Sequence, residues 1–80
     1  MKIVDTWDDA VGNANYYVVR VAQDRYVTAK RIIGEDGRTN FIYVMDNEDG
    51  TQVHDLNGHT YKDKVDEKAI VRFIRKENCI

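Results

Sequence analysis

The fold is decided by residues 16–61, which read YYVVRVAQDRYVTAKRIIGEDGRTNFIYVMDNEDGTQVHDLNGHTY. Runs of β-branched and aromatic residues alternate in this stretch with three turn signals, at 34–37, 47–50 and 57–58. Val, Ile, Tyr and Phe favour strands, and an Asn-Gly pair between two such runs is typical of a hairpin. The spacing therefore predicts a small antiparallel β-meander of about four to five strands.

Six segments are candidates for these four to five strands. They are residues 1–5, 16–22, 26–33, 41–45, 51–56 and 59–62. In the clearest of them, Tyr17 and Val19 share one face with Val21, because successive side chains of a strand point to opposite faces. Arg20 falls on the other face, beside Tyr16.

The two ends of the chain predict helices. Thr6 is a suitable cap for a short N-terminal helix over residues 6–11, in which Asp8 and Asp9 would suit the positive helix end. Trp7 would then be a core residue. Near the other end, Asp66 precedes a segment with acidic residues first and basic residues last, which predicts a C-terminal helix over residues 66–77.

A strand remains an alternative for the C-terminal segment. Ile70, Phe73 and Ile74 share one face of a helix, but Ile70, Arg72 and Ile74 also alternate as they would in a strand. The first interpretation gives an α+β domain with a C-terminal helix, and the second favours a small SH3-like barrel.

Length and composition are those of one small α+β domain over residues 1–80, with 42% hydrophobic and 32% charged residues. The formal charge of −2 is spread unevenly, since residues 46–59 carry four acids and neither Lys nor Arg. This balance argues against a strongly basic nucleic-acid-binding protein.

The single cysteine, Cys79, predicts a reducing, cytoplasmic location. No apolar run reaches the roughly 20 residues of a membrane span.

No set of residues predicts catalysis, a metal or a cofactor. His54 and His59 flank the 57–58 turn, and a two-residue turn would place them diagonally on one face, but no third ligand lies beside them. The 46–50 turn lacks the first carboxylate and the closing Glu of a calcium loop. The chain contains no serine. We therefore expect a protein that is not an enzyme.

Aromatic and charged side chains instead predict a binding surface. The predicted partner-binding residues are Tyr16, Arg20, Tyr26, Lys30, Arg31, Arg38, Glu48 and Asp49. Tyr and Arg are the residue types enriched at protein interfaces. We expect a protein-binding module, namely a small inhibitor or adaptor that modulates a larger complex, with a viral or mobile-element source as one setting. A nucleic-acid-binding β domain is the alternative, because stacked aromatics beside cations also bind single strands.

Overall fold

The computed structural model describes residues 1–80 and contains six strands followed by one helix. The elements are β1 (Lys2–Asp8), β2 (Ala14–Ala22), β3 (Arg25–Ile33), β4 (Thr39–Val44), β5 (Val53–His54), β6 (Thr60–Tyr61) and α1 (Glu67–Glu77). All strand pairs are antiparallel. The predicted antiparallel sheet and C-terminal helix are confirmed. The sheet does not close into a barrel, so the SH3-like alternative is wrong.

The long strand β3 is the centre of the sheet. One edge of β3 pairs with β2 along its whole length, and β2 pairs in turn with β1. The other edge is shared, because Ala29–Ile33 pair with β4 whereas Tyr26 pairs with β5. The small β5–β6 hairpin therefore lies end to end with β4 along the same edge of β3.

The core lies between one face of the sheet and α1. Ile70 and Ile74 of the helix are almost fully buried against Val19, Val27 and Val53 of the sheet. The Asp66 carboxylate caps the helix by accepting the Ala69 N–H at 3.1 Å. We call this side of the sheet the helix face, and the side without the helix the open face.

Glu67 ties the start of the helix to the sheet. Its Oε1 accepts the Val44 N–H of β4 at 2.9 Å. That N–H points away from β3 and has no strand partner, so Glu67 satisfies a backbone donor at the outer edge of the sheet.

The predicted N-terminal helix is wrong, because residues 6–8 continue strand β1. Trp7 pairs with Tyr16 and Asp8 with Asn15. The chain then reverses at Gly12, whose φ of +74° suits a tight turn and whose N–H donates to the Asp9 carbonyl. An isolated helix of one or two turns is marginal, whereas extension of β1 along β2 satisfies more backbone groups.

The hairpin around 57–58 is present, but its register differs from the two-residue turn. His54 pairs with Thr60 instead of Tyr61, and the regular strand pairing is limited to two residues on each side. Asp55 is the reason, because its carboxylate accepts the N–H groups of Asn57 and His59 and so stabilises a longer turn. His54 and His59 are consequently not placed diagonally on one face, as the two-residue turn would have placed them.

No helix of the protein combines the length and the apolar character that crossing a membrane would require.

Candidate functional site

A row of side chains from four strands crosses the open face. The register places Trp7, Tyr16, Lys30 and Tyr43 opposite one another on β1, β2, β3 and β4. Residues that oppose each other in antiparallel strands project from the same side of a sheet. We call these four residues the aromatic row. Phe41 lies beside its end, with its ring 5.7 Å from that of Tyr43.

The contacts within the aromatic row confirm this arrangement. The Trp7 and Tyr16 rings stack with 5.2 Å between centroids and 7° between planes. Lys30 Nζ lies 5.3 Å from the centre of the Tyr16 ring. The nearby Tyr16 side chain raises the pKa of Lys30 above its ordinary value. Lys30 is therefore a cation held among aromatic rings.

The aromatic row remains accessible at both ends. Trp7 is 44% exposed and Phe41 is 51% exposed, although both are large apolar side chains. The helix covers the opposite face only, so no element of the chain lies over them. The expectation that Trp7 is a core residue is wrong, because continuation of β1 directs its side chain to the open face.

A second row on the open face is polar. It consists of Lys2, Arg20, Tyr26, His54 and Thr60, which the strand register places side by side. We call it the polar row. A hydrogen bond of 3.0 Å between Thr28 Oγ1 and His54 Nε2 confirms that His54 projects from this face. The exposed cations Lys2 and Arg20 stand at the β1–β2 end of the row.

An acidic turn lies at the other end of the polar row. It carries Asp46, Glu48 and Asp49, and Thr60 connects it to the row by donating its hydroxyl to Asp49. Hydrogen bonds from Thr51 and Thr60 lower the pKa of Asp49 to about 2. Asp49 is therefore ionised at neutral pH. The open face thus has cations at one end of the polar row and anions at the other.

The predicted partner-binding residues divide among these features. Tyr16 and Lys30 belong to the aromatic row, and Arg20 and Tyr26 belong to the polar row. Glu48 and Asp49 form part of the acidic turn. Arg38 lies apart in the β3–β4 turn, with its side chain 87% exposed.

Arg31 lies on the helix face, apart from the other predicted binding residues. Its Nε donates to Thr39 Oγ1 at 2.6 Å, and its Nη1 donates to Asn15 Oδ1 at 3.3 Å. Its side chain links three strands of the sheet, because Asn15 belongs to β2 and Thr39 to β4. This role is structural.

Sequence reasoning missed Trp7, Phe41 and Tyr43 as parts of a surface. The signal for the last two was present, because Phe41 and Tyr43 alternate with Ile42 and Val44 in β4. With one helix available to cover one face, one of these two sets had to remain outside the core. For Trp7 the apparent helix cap at Thr6 concealed the strand pattern.

The two histidines contact different groups. His54 contacts Thr28 and the Asp55 carbonyl, whereas His59 Nδ1 lies 3.1 Å from Asp55 Oδ2. Burial raises the pKa of Asp55, but the N–H groups of Asn57 and His59 outweigh this effect and hold it below its ordinary value. Nowhere in residues 1–80 do three or more His, Cys, Asp or Glu side chains gather around one point.

An apolar groove of about 350 Å³ lies on the other side of the molecule, between the start of α1 and the β2–β3 hairpin. Val21, Val53 and Ile70 contribute to its lining. Two of the charged groups at its rim are already bonded to each other, since Arg25 Nε donates to Asp63 Oδ2 at 2.9 Å, and Asp66 is engaged as the helix cap. Arg25 also lies 3.6 Å from the centre of the Tyr61 ring. The groove therefore has fewer unpaired charged groups available to contact a partner than the open face has.

Comparisons of the chain with protein-family models, curated proteins and solved structures find no match. The functional argument consequently rests on the geometry of the open face.

Proposed function

We propose that this chain is a non-enzymatic protein-binding module whose contact surface is the open face of its sheet. The observation that carries the proposal is the half-exposed state of Trp7 and Phe41 on a face that no element covers. Exposed apolar patches rimmed by polar residues are typical of interaction sites. Trp and Tyr are also the residues that most often dominate binding energy at protein interfaces.

The charges around the aromatic row support a protein partner. Lys30 lies in the row, but Asp5 shares the open face, and Asp9 lies close enough to Lys30 to contribute to its raised pKa. These carboxylates and the acidic turn would repel the phosphates of a nucleic-acid strand. Attraction between phosphates and protein cations supplies most of the affinity of nucleic-acid binding, so such a strand would bind poorly here. A protein surface with charges of both signs matches the open face better.

Such a module would act as an inhibitor or adaptor of a larger complex, in the manner of small proteins encoded by viruses and mobile elements. The single cysteine favours action in the reducing cytosol.

Capture from nuclease-treated lysate, with paired variants, tests the proposal. Trp7→Ala should abolish capture of the partner, because it removes the most exposed large ring of the aromatic row. Leu56→Ala is the matched control, since Leu56 is 67% exposed but lies in the β5–β6 turn, outside the row. Equal capture by the two variants would contradict the assignment of the open face.

Single-stranded nucleic acid is the second candidate ligand, because the stacked Trp7 and Tyr16 rings lie next to the Lys30 ammonium. Aromatic side chains of this kind stack on bases in single-strand-binding proteins. Capture that disappears on nuclease treatment, together with oligonucleotide binding that weakens steeply with salt, would favour this candidate.

A further inference from the structure

A groove of about 630 Å³ runs along the outer edge of β4, between that strand and one flank of α1. We call it the β4–α1 groove. Ile42, Val65 and Val71 provide its apolar lining, and the charged lining comes from α1 and the residue that caps it. The Ile42 side chain belongs to the core on the helix face, so the groove is not part of the open face.

Backbone groups of β4 point into this groove. The Val44 N–H points away from β3 and bonds to Glu67, whereas the Met45 N–H points inward to the Thr28 carbonyl. Pairing with β3 is regular over residues 41–44, and backbone groups alternate in direction along an antiparallel strand. The N–H and C=O of Ile42 therefore point outward, and no other group of the chain bonds to them. Ile42 offers a free donor and a free acceptor to a further strand.

The other free edges of the sheet are less suited to a further strand. On β1, the Asp5 carboxylate already accepts the Thr6 N–H, and a bulge between Ile3 and Asp5 interrupts the regular pairing with β2. Bulges and charged side chains protect an edge from pairing with another chain. β6 consists of Thr60 and Tyr61 only. Of these three edges, only that of β4 lies alongside α1.

The charged groups left free in the β4–α1 groove are positive. Three cations on one flank of α1 line it, at intervals of four and three residues. They are Lys68, Arg72 and Arg75. None of the three has a partner among the salt bridges of the chain. The two acids of the groove are already engaged, because Asp66 caps the helix and Glu67 accepts the Val44 N–H.

We propose that the β4–α1 groove binds an acidic segment of a partner protein in extended conformation, which adds a strand to the outer edge of β4. This inference goes beyond the open face, because it assigns a second interaction surface at the edge of the sheet. Main-chain hydrogen bonds to Ile42 would hold the segment, and the side chains around the groove would select it. Acidic side chains are favoured because they complement the three cations that the chain leaves unpaired.

The register of the added strand determines which of its side chains are acidic. The residue of the segment opposite Ile42 projects to the same side of the sheet as Ile42, toward α1 and its cations. The neighbours of that residue project to the open face, beside Phe41 and Tyr43. We therefore expect a segment in which acidic residues alternate with apolar or aromatic ones.

Fluorescence anisotropy tests the groove with a short fluorescein-labelled peptide in which glutamate and valine alternate. Lys68→Glu with Arg72→Glu should weaken its binding at least about tenfold, because two attractive contacts become repulsive. Lys2→Glu with Arg20→Glu is the matched control, since it changes the net charge equally but lies on the β1–β2 side of the sheet. Its effect should stay below about twofold, because salt screens distant charges. All four side chains are exposed, and circular dichroism checks that both variants fold.

Amide hydrogen exchange followed by NMR distinguishes an added strand from simple attraction to the surface of the helix. Saturating peptide should slow exchange of the Ile42 amide at least about tenfold, because its N–H gains a hydrogen-bond partner. The Thr6 amide, on the outer edge of β1, is the control and should exchange at the same rate with and without peptide.

The groove proposal is overturned if the wild-type chain shows no saturable binding at millimolar peptide, or if the two charge-reversal variants lose binding equally. An Ile42 amide whose exchange is unchanged by bound peptide would overturn it as well. Trp7→Ala should bind the peptide as the wild type does, and a loss there would place the peptide on the open face instead. None of these results contradicts the proposed function, which fails only if Trp7→Ala captures the same proteins as Leu56→Ala.

Discussion

The packing of α1 on the sheet leads to a quantitative prediction for Ile74→Ala. Ile74 is fully buried and belongs to a core cluster of nine residues, which includes Val19, Val27 and Ile70. The substitution removes the larger part of a side chain that lies between helix and sheet. The surrounding β-branched residues belong to paired strands and cannot easily move into the space, so a cavity would remain.

The expected loss is about 3–4 kcal/mol in the free energy of unfolding, within the range of about 2–5 kcal/mol for Ile→Ala in cores. The higher helix propensity of Ala offsets only a few tenths of a kcal/mol of this loss in the free energy of unfolding. A chain of this length has a total stability of roughly 4–12 kcal/mol. The variant should therefore unfold about 12–30 °C below the wild type, at about 4–8 °C for each kcal/mol.

Urea unfolding followed by circular dichroism measures this change. Ile80→Ala is the matched control, because Ile80 has the same side chain but lies at the chain end with 39% exposure. We expect its effect to remain within about 0.5 kcal/mol. If Ile74→Ala costs less than about 1 kcal/mol, or no more than Ile80→Ala, then α1 does not cover the helix face.

Three further predictions follow from single side chains. Arg31→Leu should lower stability by about 1–2 kcal/mol because it removes the bonds to β2 and β4, whereas Arg20→Leu on the open face should stay within about 0.5 kcal/mol in the same urea titration. Asp66→Ala should cost about 1 kcal/mol through loss of the helix cap, and an unchanged urea midpoint would argue against that cap. The folded-state pKa of Asp49 lies below its ordinary value, so its contribution to stability is complete above about pH 4 and is lost as pH falls toward about 2. The urea midpoint should fall over that interval, and Asp49→Asn should make the fall smaller; an identical acid profile would exclude Asp49 as a contributor.

Much of the sheet could be predicted because its signals are local. The pattern in β2 depends on alternation along one strand, and it placed Tyr17 and Val19 on one face of the strand and Arg20 on the other. The three turn signals separate the strands at positions that the structure also uses. Asp66 and the acidic-to-basic order after it located the helix, because capping and the helix dipole act within one or two turns.

The errors arose where distant partners decide the outcome. Thr6 and the acids after it suit a helix cap, but pairing of Trp7 and Asp8 with β2 outweighs that local preference. The Asn57-Gly58 pair is typical of a two-residue turn, but the Asp55 carboxylate binds two N–H groups and shifts the register by one residue. Such competition cannot be judged from propensity alone.

In the candidate site, too, local sequence signals predicted some features and the pairing of distant strands decided the others. Sequence reasoning identified Tyr16, Arg20, Tyr26 and Lys30 as surface residues of neighbouring strands. It did not place Trp7 and Tyr43 in one row with Tyr16 and Lys30, because that row depends on the register of three strand pairs. It also grouped Arg31 with the open face, although its position on the strand directs it to the other side.

By itself, the sequence determined the strands from β2 onward, the turns between β3 and β6 and the start of the C-terminal helix, because these depend on side-chain shape, backbone freedom and capping over a few residues. Only the tertiary structure decided which face of the sheet the helix covers, and therefore which aromatic side chains stay exposed. Burial is a property of the assembled layers. A single helix can bury one face only, and the opposite face, with Trp7 and Phe41, remains available for a partner.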